Sequence, residues 1–365
     1  MKTIHRILAA DAREMAAVAD SSVDLIVTSP PYPMIEMWDD IFGTLNPEIR
    51  EKLARGDGNA AFELMHLELD RVWREAFRVL RPGCIACINV GDATRTIGGD
   101  FRLFSNHSRI LQSASRVGLA TLPDILWRKQ TNAPNKFLGS GMLPGGAYVT
   151  YEHEYILILR KGGKRAFASE DERLRRRESA FFWEERNVWF SDVWTDLKGT
   201  SQDLVDPETR DRSGAFPFEL AHRLVQMHSI VGDTVLDPFL GTGTTCVAAA
   251  ASARSSIGLE IDEHLRAVAG RALVTTQRLG TERTRTRLEA HRRFIEERRN
   301  AGRQVRHASR NYGFPVVTGQ EVDLLFLWPV GLREVSPGIF EAEYTGEPPR
   351  FEEHRQTEFS FVGPT

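Results

Sequence analysis

Short apolar runs recur along the chain. A longer stretch lies between the first and second of these runs, and its apolar residues recur at helical spacing. We predict buried strands at these runs, which lie at residues 23–27, 84–88, 156–160, 234–236 and 256–262. Between the first two runs, apolar side chains at positions 62, 65, 69, 72, 73, 76, 77 and 80 indicate an amphipathic helix over residues 62–80. Residues 47–60 lack this period, and we expect a loop there.

The first apolar run leads directly into the polar segment Thr28-Ser29-Pro30-Pro31-Tyr32. The two prolines fix φ at about −65° and remove two backbone donors, so the segment presents carbonyl oxygens and the Ser29 hydroxyl. Tyr32 adds a flat face on which a heterocycle can stack. The segment is therefore suited to accept hydrogens from an amino group; the alternative is a Pro-Pro turn with Tyr32 in ordinary packing.

A second polar segment, residues 237–245, follows the strand predicted at residues 234–236. Its glycines, Gly241 and Gly243, permit a tight turn and close approach of a ligand, and an alanine-rich helix follows with its first amides facing that turn. The segment matches neither the nicotinamide fingerprint nor the phosphate-binding loop. The next predicted strand, residues 256–262, ends in an acid, and an acid at that point commonly binds ribose hydroxyls. Together these features indicate a cofactor-binding strand, turn and helix.

With both motifs in this order, the chain resembles the DNA amino-methyltransferases that use S-adenosylmethionine. The order matches their permuted, beta-class arrangement, in which the catalytic motif precedes the cofactor motif. Residues 81–92, the "hEyil" strand within 151–160, and residues 212–220 also resemble motifs of this family. The resemblance implies a Rossmann-like α/β fold with a doubly wound, mostly parallel sheet of about seven strands and one antiparallel edge hairpin. It also implies that the two loops share one cleft.

The resemblance carries roles to individual positions of this sequence. Ser29, Pro30, Pro31 and Tyr32 match the catalytic motif. Glu260 is expected to bind the ribose hydroxyls, Ile261 to pack on the cofactor adenine, and Asp11 to accept from the adenine amino group. The remaining expected cofactor residues are Asp237, Phe239, Gly241, Gly243 and Thr244 in the loop near the methionine part, and Ser213, Ala215 and Phe216 beside its carboxylate.

Transfer to an exocyclic amine needs a site that restores the nucleophilicity of the nitrogen, because its lone pair is delocalised into the ring. If the Ser29 hydroxyl and the Pro30 carbonyl accept its hydrogens, the nitrogen approaches tetrahedral geometry and its lone pair can point at the sulfonium methyl. This chemistry requires neither a metal nor a covalent intermediate. The amine is inaccessible in a duplex, so the base must flip out at a cost of a few kcal/mol.

The target base follows from the resemblance, because serine before Pro-Pro-Tyr is seen there mostly in enzymes acting on cytosine N4. We therefore expect a site-specific cytosine-N4 methyltransferase that acts on double-stranded DNA and is paired with a separately encoded restriction endonuclease. An adenine-N6 enzyme and a non-catalytic DNA-binding protein of the same fold are the alternatives. Methylation of RNA or of a glutamine amide is a further one.

Composition narrows the class of protein further. A net charge of −3 differs from that of a generally basic nucleic-acid-binding protein, so any DNA footprint must be local. The chain has three cysteines. Cys84 and Cys87 lie in a strand-like run without a second pair, so we interpret them as small buried hydrophobic residues. Few cysteines, no signal peptide and no long apolar run predict a cytoplasmic protein without a membrane span.

DNA recognition is expected outside the two motifs. We divide the chain into a catalytic half (1–160), a target-recognition insert (161–211), a cofactor half (212–280) and an extension of unknown role (281–365). The insert interleaves basic and aromatic residues, which suits phosphate and base contacts; a helix with a small hydrophobic cluster is the alternative. Its candidate DNA-binding residues are Lys161, Lys164, Arg165, Arg175 and Arg176. A second candidate is an irregular loop over residues 127–144.

The extension is divided by charge. Residues 282–310 contain ten Arg and four Glu, whereas residues 311–365 contain three Arg and nine acidic residues. Residues 283–299 have mixed charges at helical spacing, which predicts a helix with either a solvated face or a DNA-contacting face. Residues 322–328 have the pattern of a buried strand, and we expect this segment either to fold back on the chain or to bury a partner surface. A homodimer is a further expected assembly.

Overall fold

The computed structural model describes residues 1–129, 138–198 and 216–348. Its strands are β1 (Lys2–Leu8), β2 (Val23–Thr28), β3 (Leu80–Val90), β4 (Ala93–Ile97), β5 (Asp100–Phe104), β6 (Leu119–Thr121), β7 (Ile125–Arg128), β8 (Leu138–Gly139), β9 (Ala147–Tyr148), β10 (His153–Lys161), β11 (Val193–Trp194), β12 (Thr234–Asp237), β13 (Ser255–Leu259), β14 (His307–Ala308), β15 (Pro315–Val316), β16 (Trp328–Ser336) and β17 (Ile339–Thr345). Its α-helices are α1 (Asp39–Leu45), α2 (Pro47–Ala54), α3 (Gly58–Val79), α4 (Asn106–Arg116), α5 (Glu170–Glu178), α6 (Trp183–Trp189), α7 (Phe218–His228), α8 (Thr244–Ala251), α9 (Glu263–Val274) and α10 (Thr276–Asn300).

One large sheet organises these elements in the order β11-β7-β10-β3-β2-β12-β13-β1-β17-β16, with β6 also beside β10. The five central strands from β3 to β1 are parallel, and β10 and β17 run antiparallel to them. Strand β2 lies next to β12, with Leu25 opposite Val235 and Ile26 opposite Leu236. The doubly wound, mostly parallel fold is confirmed, and the strands that lead into the two motifs are neighbours.

The sheet has eleven strands within the described residues, so the expectation of about seven was too low. One edge is extended by the hairpin β16–β17, which comes from the C-terminal extension and pairs with β1. The hairpin supplies hydrogen-bond partners to β1, whose backbone groups would otherwise form an exposed edge. The resemblance did not reach this part of the chain, so its pairing with β1 could not be predicted.

Helices cover both faces of the sheet. The predicted helix over residues 62–80 is confirmed as α3, which buries Met65, Leu69, Val72, Trp73 and Ala76 in the core on one face, while α7 and α8 cover the other. The loop expected at residues 47–60 is wrong, because most of that stretch is α2. The Asn46 side chain caps this helix by accepting from Glu48 N at 3.1 Å, Pro47 occupies its first turn, and Ile49 is buried.

The insert and the C-terminal extension pack together beside the sheet. Phe182 from the insert is buried with Val316, Leu324, Phe326 and Trp328 from the extension. The ring of Phe182 also stacks on His291 of α10, with ring centroids 3.8 Å apart. The insert and the extension therefore share one hydrophobic cluster.

The strand expected at residues 322–328 is formed only at Trp328, which begins β16, whereas residues 322–327 are irregular although Leu324 and Phe326 are buried. Side chains satisfy much of its backbone instead of a neighbouring strand. Asn311 Nδ2 donates to the carbonyls of Asp323 and Leu324 at 3.2 and 3.0 Å, and the Tyr312 hydroxyl accepts from Phe326 N at 2.8 Å. The apolar pattern of this segment therefore suggested a strand where the chain is irregular, because side chains rather than a neighbouring strand satisfy the backbone.

Candidate functional site

A buried hydrogen bond joins the two predicted loops at the carboxyl ends of β2 and β12. Thr28 Oγ1 donates to Asp237 Oδ1 at 2.7 Å, and the same carboxyl oxygen accepts from Phe239 N at 3.1 Å. At the start of α8, Thr245 Oγ1 donates to the Val27 carbonyl at 3.3 Å. The two predicted motifs, far apart in sequence, therefore lie side by side.

The predicted catalytic loop, residues 28–32, is held by a network around the Tyr32 hydroxyl. This hydroxyl lies 3.0 Å from Ser29 Oγ, 2.9 Å from Asn89 Nδ2 and 3.1 Å from Glu154 Oε2. Burial and the Glu154 carboxylate raise the pKa of Tyr32 well above its ordinary value, so the phenol keeps its proton at neutral pH. The Tyr32 ring also packs close to Gly91, where an added Cβ would come within 3.1 Å of it. The ring therefore has a fixed orientation.

Glu154 is a site residue to which the sequence analysis assigned no role. It lies in the matched "hEyil" segment at the start of β10, where it is buried. Its Oε2 accepts from Asn89 Nδ2 at 2.6 Å, and its Oε1 pairs with Lys129 Nζ at 2.8 Å. The sequence signal for Glu154 was an acid at the start of a largely apolar strand. Only the pairing of β10 with β3 shows that this side chain reaches Tyr32.

The predicted cofactor loop, residues 237–245, has the expected turn geometry. Gly243 has a φ of 90°, and an added Cβ there would lie 2.9 Å from Ala269 Cα, so this position requires glycine. Glu260 Oε2 accepts from Gly241 N at 2.9 Å, and burial raises the pKa of Glu260. The next residue, Ile261, is 59% exposed, and Thr244 begins α8. A carboxylate, an exposed apolar side chain and a helix start therefore lie around one turn.

The other expected cofactor residues differ in placement. Asp11 follows β1 and accepts from Arg13 N at 2.8 Å. Partial burial acts to raise the pKa of Asp11, but the hydrogen bonds and charge of Arg13 outweigh it and lower the pKa. Phe216 is buried against α7, and Phe239 packs on the core. Ser213 and Ala215 lie outside the described residues.

The five predicted DNA-binding residues lie away from the catalytic loop. Lys161 Nζ donates to the Leu80 carbonyl at the start of β3, and Arg165 pairs at 2.6 Å with Asp233, just before β12. Both contacts are at the amino-terminal edge of the parallel strands. The physical reason is that β10 runs antiparallel to β3, so its last residues, where the insert begins, lie opposite the site.

The other three predicted DNA-binding residues also lie away from the catalytic loop. Lys164 is exposed next to Arg165, Arg175 pairs with Asp171 at 3.0 Å, and the Arg176 guanidinium lies 4.6 Å from the centre of the Phe167 ring. The structure does not bring these side chains to the catalytic loop. The second candidate, residues 127–144, does begin at the site, because Arg128 at the end of β7 lies opposite His153 at the start of β10; residues 130–137 of it are outside the described part.

The cysteines are all buried and free. Cys84 contributes to the core on one face of the sheet and Cys87 to the core on the other, so the two side chains do not form a pair. Burial raises the pKa of Cys84 to about 11 and that of Cys246 to about 12. Among the described residues, no group of His, Cys, Asp and Glu is arranged to hold a metal ion, and no helix could cross a bilayer.

Asp237 gives the stability of the protein a specific pH dependence. Burial raises its pKa from 3.8 to about 6. Between these values the folded protein binds more protons than the unfolded chain, so the contribution of Asp237 to stability falls as pH rises, by roughly 3 kcal/mol in all. We expect Asp237→Asn to gain stability relative to the wild type between pH 4 and pH 7, measured by urea unfolding.

The exposed Asp171, which pairs only with Arg175 among the described contacts, provides the matched control for that experiment. Asp171→Asn should follow the wild-type curve across the same pH range. Parallel curves for the wild type and Asp237→Asn would mean that the buried carboxyl titrates at its ordinary value.

This fold, with a Ser-Pro-Pro-Tyr loop joined to a glycine turn and helix, defines a Rossmann-like methyltransferase. Residues 23–270 match the model of a DNA methylase family that comprises N4-cytosine and N6-adenine enzymes, and the chain belongs to this family. It is 50% identical over 353 residues to the type II methyltransferase M.MthZI of Methanothermobacter thermautotrophicus, covering 96% of this chain and 98% of that protein.

Two further comparisons agree. The chain is 50% identical over 277 residues to the type II methyltransferase M.MjaI of Methanocaldococcus jannaschii, covering 73% of this chain and 90% of that one. Among solved structures it is similar to a protein of Thermus thermophilus described as a DNA modification methylase and complexed with S-adenosyl-L-methionine. That likeness has a TM-score of 0.58 and 35% identity, and it covers 74% of this chain and 95% of the other.

Proposed function

We propose that this protein is a site-specific, beta-class DNA methyltransferase that transfers a methyl group from S-adenosylmethionine to the N4 amine of a flipped-out cytosine. The observation that carries the proposal is the Thr28–Asp237 hydrogen bond, which holds the amine-accepting loop beside the cofactor loop. Methyl transfer requires this closeness, because the nucleophile and the donor must meet in one cleft.

The residues around the glycine turn fit S-adenosylmethionine. Glu260 offers a carboxylate for ribose hydroxyls, and the exposed Ile261 offers an apolar surface to an adenine ring. Gly241 and Gly243 give the turn its positive φ angles, and the Asp237 carboxylate holds it by accepting from Phe239 N. We assign this turn to the methionine part of the cofactor. The bound cofactor would supply an electrophilic methyl group on a sulfonium.

The catalytic loop would bind and orient the target amine. Ser29 Oγ and the Pro30 carbonyl accept its two hydrogens, and the developing positive charge on nitrogen is stabilised by these oxygens. Tyr32, whose ring is fixed by its hydroxyl network and by Gly91, provides the stacking face for the extruded base. Serine at position 29 is the basis for choosing cytosine.

The type II relatives support two proposed partners, double-stranded DNA and a separately encoded restriction endonuclease. A second copy of the chain remains a further proposed partner. The chain would act in the cytoplasm, where its DNA substrate is found.

A labelling experiment tests the proposed function. The protein is incubated with radiolabelled S-adenosylmethionine and duplex DNA, RNA or protein, and labelled DNA is digested to nucleosides. We expect label in DNA only, recovered as N4-methylcytosine. Recovery of N6-methyladenine would mean that the target base is adenine and not cytosine. Label in RNA or protein would mean that the substrate is not DNA, and absence of label would favour a non-catalytic DNA-binding protein.

A further inference from the structure

The hydrogen bonds around Tyr32 have a defined direction. An ionised Glu154 can only accept, and Asn89 Nδ2 donates both to Glu154 and to the Tyr32 hydroxyl. The single hydrogen of the Tyr32 hydroxyl must then point to Glu154 Oε2, 3.1 Å away. Because that hydrogen is used, the 3.0 Å contact between Ser29 and Tyr32 has Ser29 as the donor. The remaining lone pairs of Ser29 Oγ are left free to accept from a substrate.

We propose that Glu154 is the terminal acceptor of the proton that the target amine loses, and that the proton reaches it through Ser29 and Tyr32. This inference rests on the proposed function and adds a residue to it. The three side chains form a continuous path, Ser29 Oγ to Tyr32 Oη at 3.0 Å and Tyr32 Oη to Glu154 Oε2 at 3.1 Å. Each step is within the reach of a proton transfer.

The transfer balances without any further reactant. The amine lone pair forms the new N–C bond, and the electron pair of the broken S–C bond returns to sulfur. One N–H proton passes to Ser29 Oγ, the Ser29 hydroxyl proton passes to Tyr32, and the Tyr32 proton passes to Glu154. The products are a neutral methylated amine, a neutral thioether and a protonated Glu154.

The surroundings of Glu154 suit this role. Lys129 Nζ lies 2.8 Å from Oε1, so the carboxylate has an ammonium partner on the side away from Tyr32 Oη, which contacts Oε2. The Lys129 side chain is 42% exposed, so it lies at the boundary between the buried carboxylate and water, where the proton can leave afterwards. The raised pKa of Tyr32 keeps the phenol protonated between turnovers, as a relay requires.

Two conservative variants test the relay. Tyr32→Phe keeps the stacking ring but removes the hydroxyl, and Glu154→Gln keeps the size and acceptor oxygen but cannot take up a proton. We expect each to lower the single-turnover rate at least tenfold, with the KM for DNA and the Kd for S-adenosylmethionine within about twofold of wild type. The double variant should be little slower than the slower single variant, because both act on one path.

Glu152→Gln is the matched control, since Glu152 precedes the same strand, pairs with Arg128 and makes no contact with Tyr32 among the described contacts. It should keep the wild-type rate.

Wild-type methylation of DNA together with wild-type rates in Tyr32→Phe and Glu154→Gln would overturn the relay and leave the proposed function intact. Slower variants whose cofactor or DNA binding weakens in proportion would assign the network a structural role instead. Failure of the wild type itself to methylate DNA would reject the proposed function.

Discussion

Ser29→Ala is expected to lower the turnover number roughly 100- to 1,000-fold, the usual cost of losing one preorganised polar group that stabilises transition-state charge. The substitution removes the hydroxyl oxygen that would accept from the target amine, while Tyr32 keeps its contacts with Asn89 and Glu154. The loss should appear in kcat and not in cofactor affinity, because Ser29 is on the catalytic loop and the cofactor turn is held by Asp237 and Glu260. Single-turnover kinetics and calorimetric titration with S-adenosylmethionine measure the two quantities.

Ser108→Ala provides the control for this change. Ser108 is exposed on α4, and its hydroxyl donates to the Ser105 carbonyl. This variant should keep the wild-type turnover number and cofactor affinity. If Ser29→Ala also did so, the Pro30 carbonyl alone would be sufficient to orient the amine, and the role given to Ser29 would be wrong.

The sequence predicted those parts of the site that depend on local chemistry and chain order. The prolines after Ser29 and the glycines at 241 and 243 have conformational consequences that hold in any fold. The resemblance then required the two loops to meet, and the pairing of β2 with β12 confirms that they do. The helix over residues 62–80 was also predictable from local sequence, because the apolar period that indicates it lies within those residues and needs no distant partner.

Features that depend on long-range pairing were not predictable. Lys161 and Arg165 are at the edge opposite the site only because β10 is antiparallel to β3, and a single sequence does not give the direction of that strand. Glu154 reaches Tyr32 through the same pairing. The helix α2 was missed for a local reason. Its start signal, Asn46-Pro47, is present in the sequence, but the residues that follow have no clear apolar period, so a loop was predicted.

The contact between the insert and the extension leads to the second large effect. Arg287 of α10 has a side chain only 6% exposed, and its Nε and Nη2 donate to the two carboxyl oxygens of Glu185 at 2.6 and 2.8 Å. Its guanidinium also lies 5.6 Å from the ring centre of Trp189 and 5.3 Å from that of Phe326. Arg287 of α10 therefore joins α6 of the insert to Phe326, in the part of the extension that follows α10.

Arg287→Ala is expected to lower the free energy of unfolding by about 3 to 5 kcal/mol, because it leaves the largely buried Glu185 carboxylate without its partner. Urea unfolding measures this change. Arg292→Ala, on the exposed side of the same helix and paired with Glu296 at 3.5 Å, should cost less than about 1 kcal/mol. Equal unfolding midpoints for the two variants would show that the buried pair does not hold the insert to the extension.

Removing both charges together separates the energy of the ion pair from the cost of an unpaired charge. Arg287→Met with Glu185→Leu replaces the pair by apolar side chains, so no charge is left buried, and we expect this double variant to be much more stable than Arg287→Ala. If the double variant were as unstable as the single one, the loss would come from the packing of Arg287 on Trp189 and Phe326. The turnover number of the folded fraction should be unchanged in either case, since Arg287 makes no contact with the catalytic or cofactor loop among the described contacts.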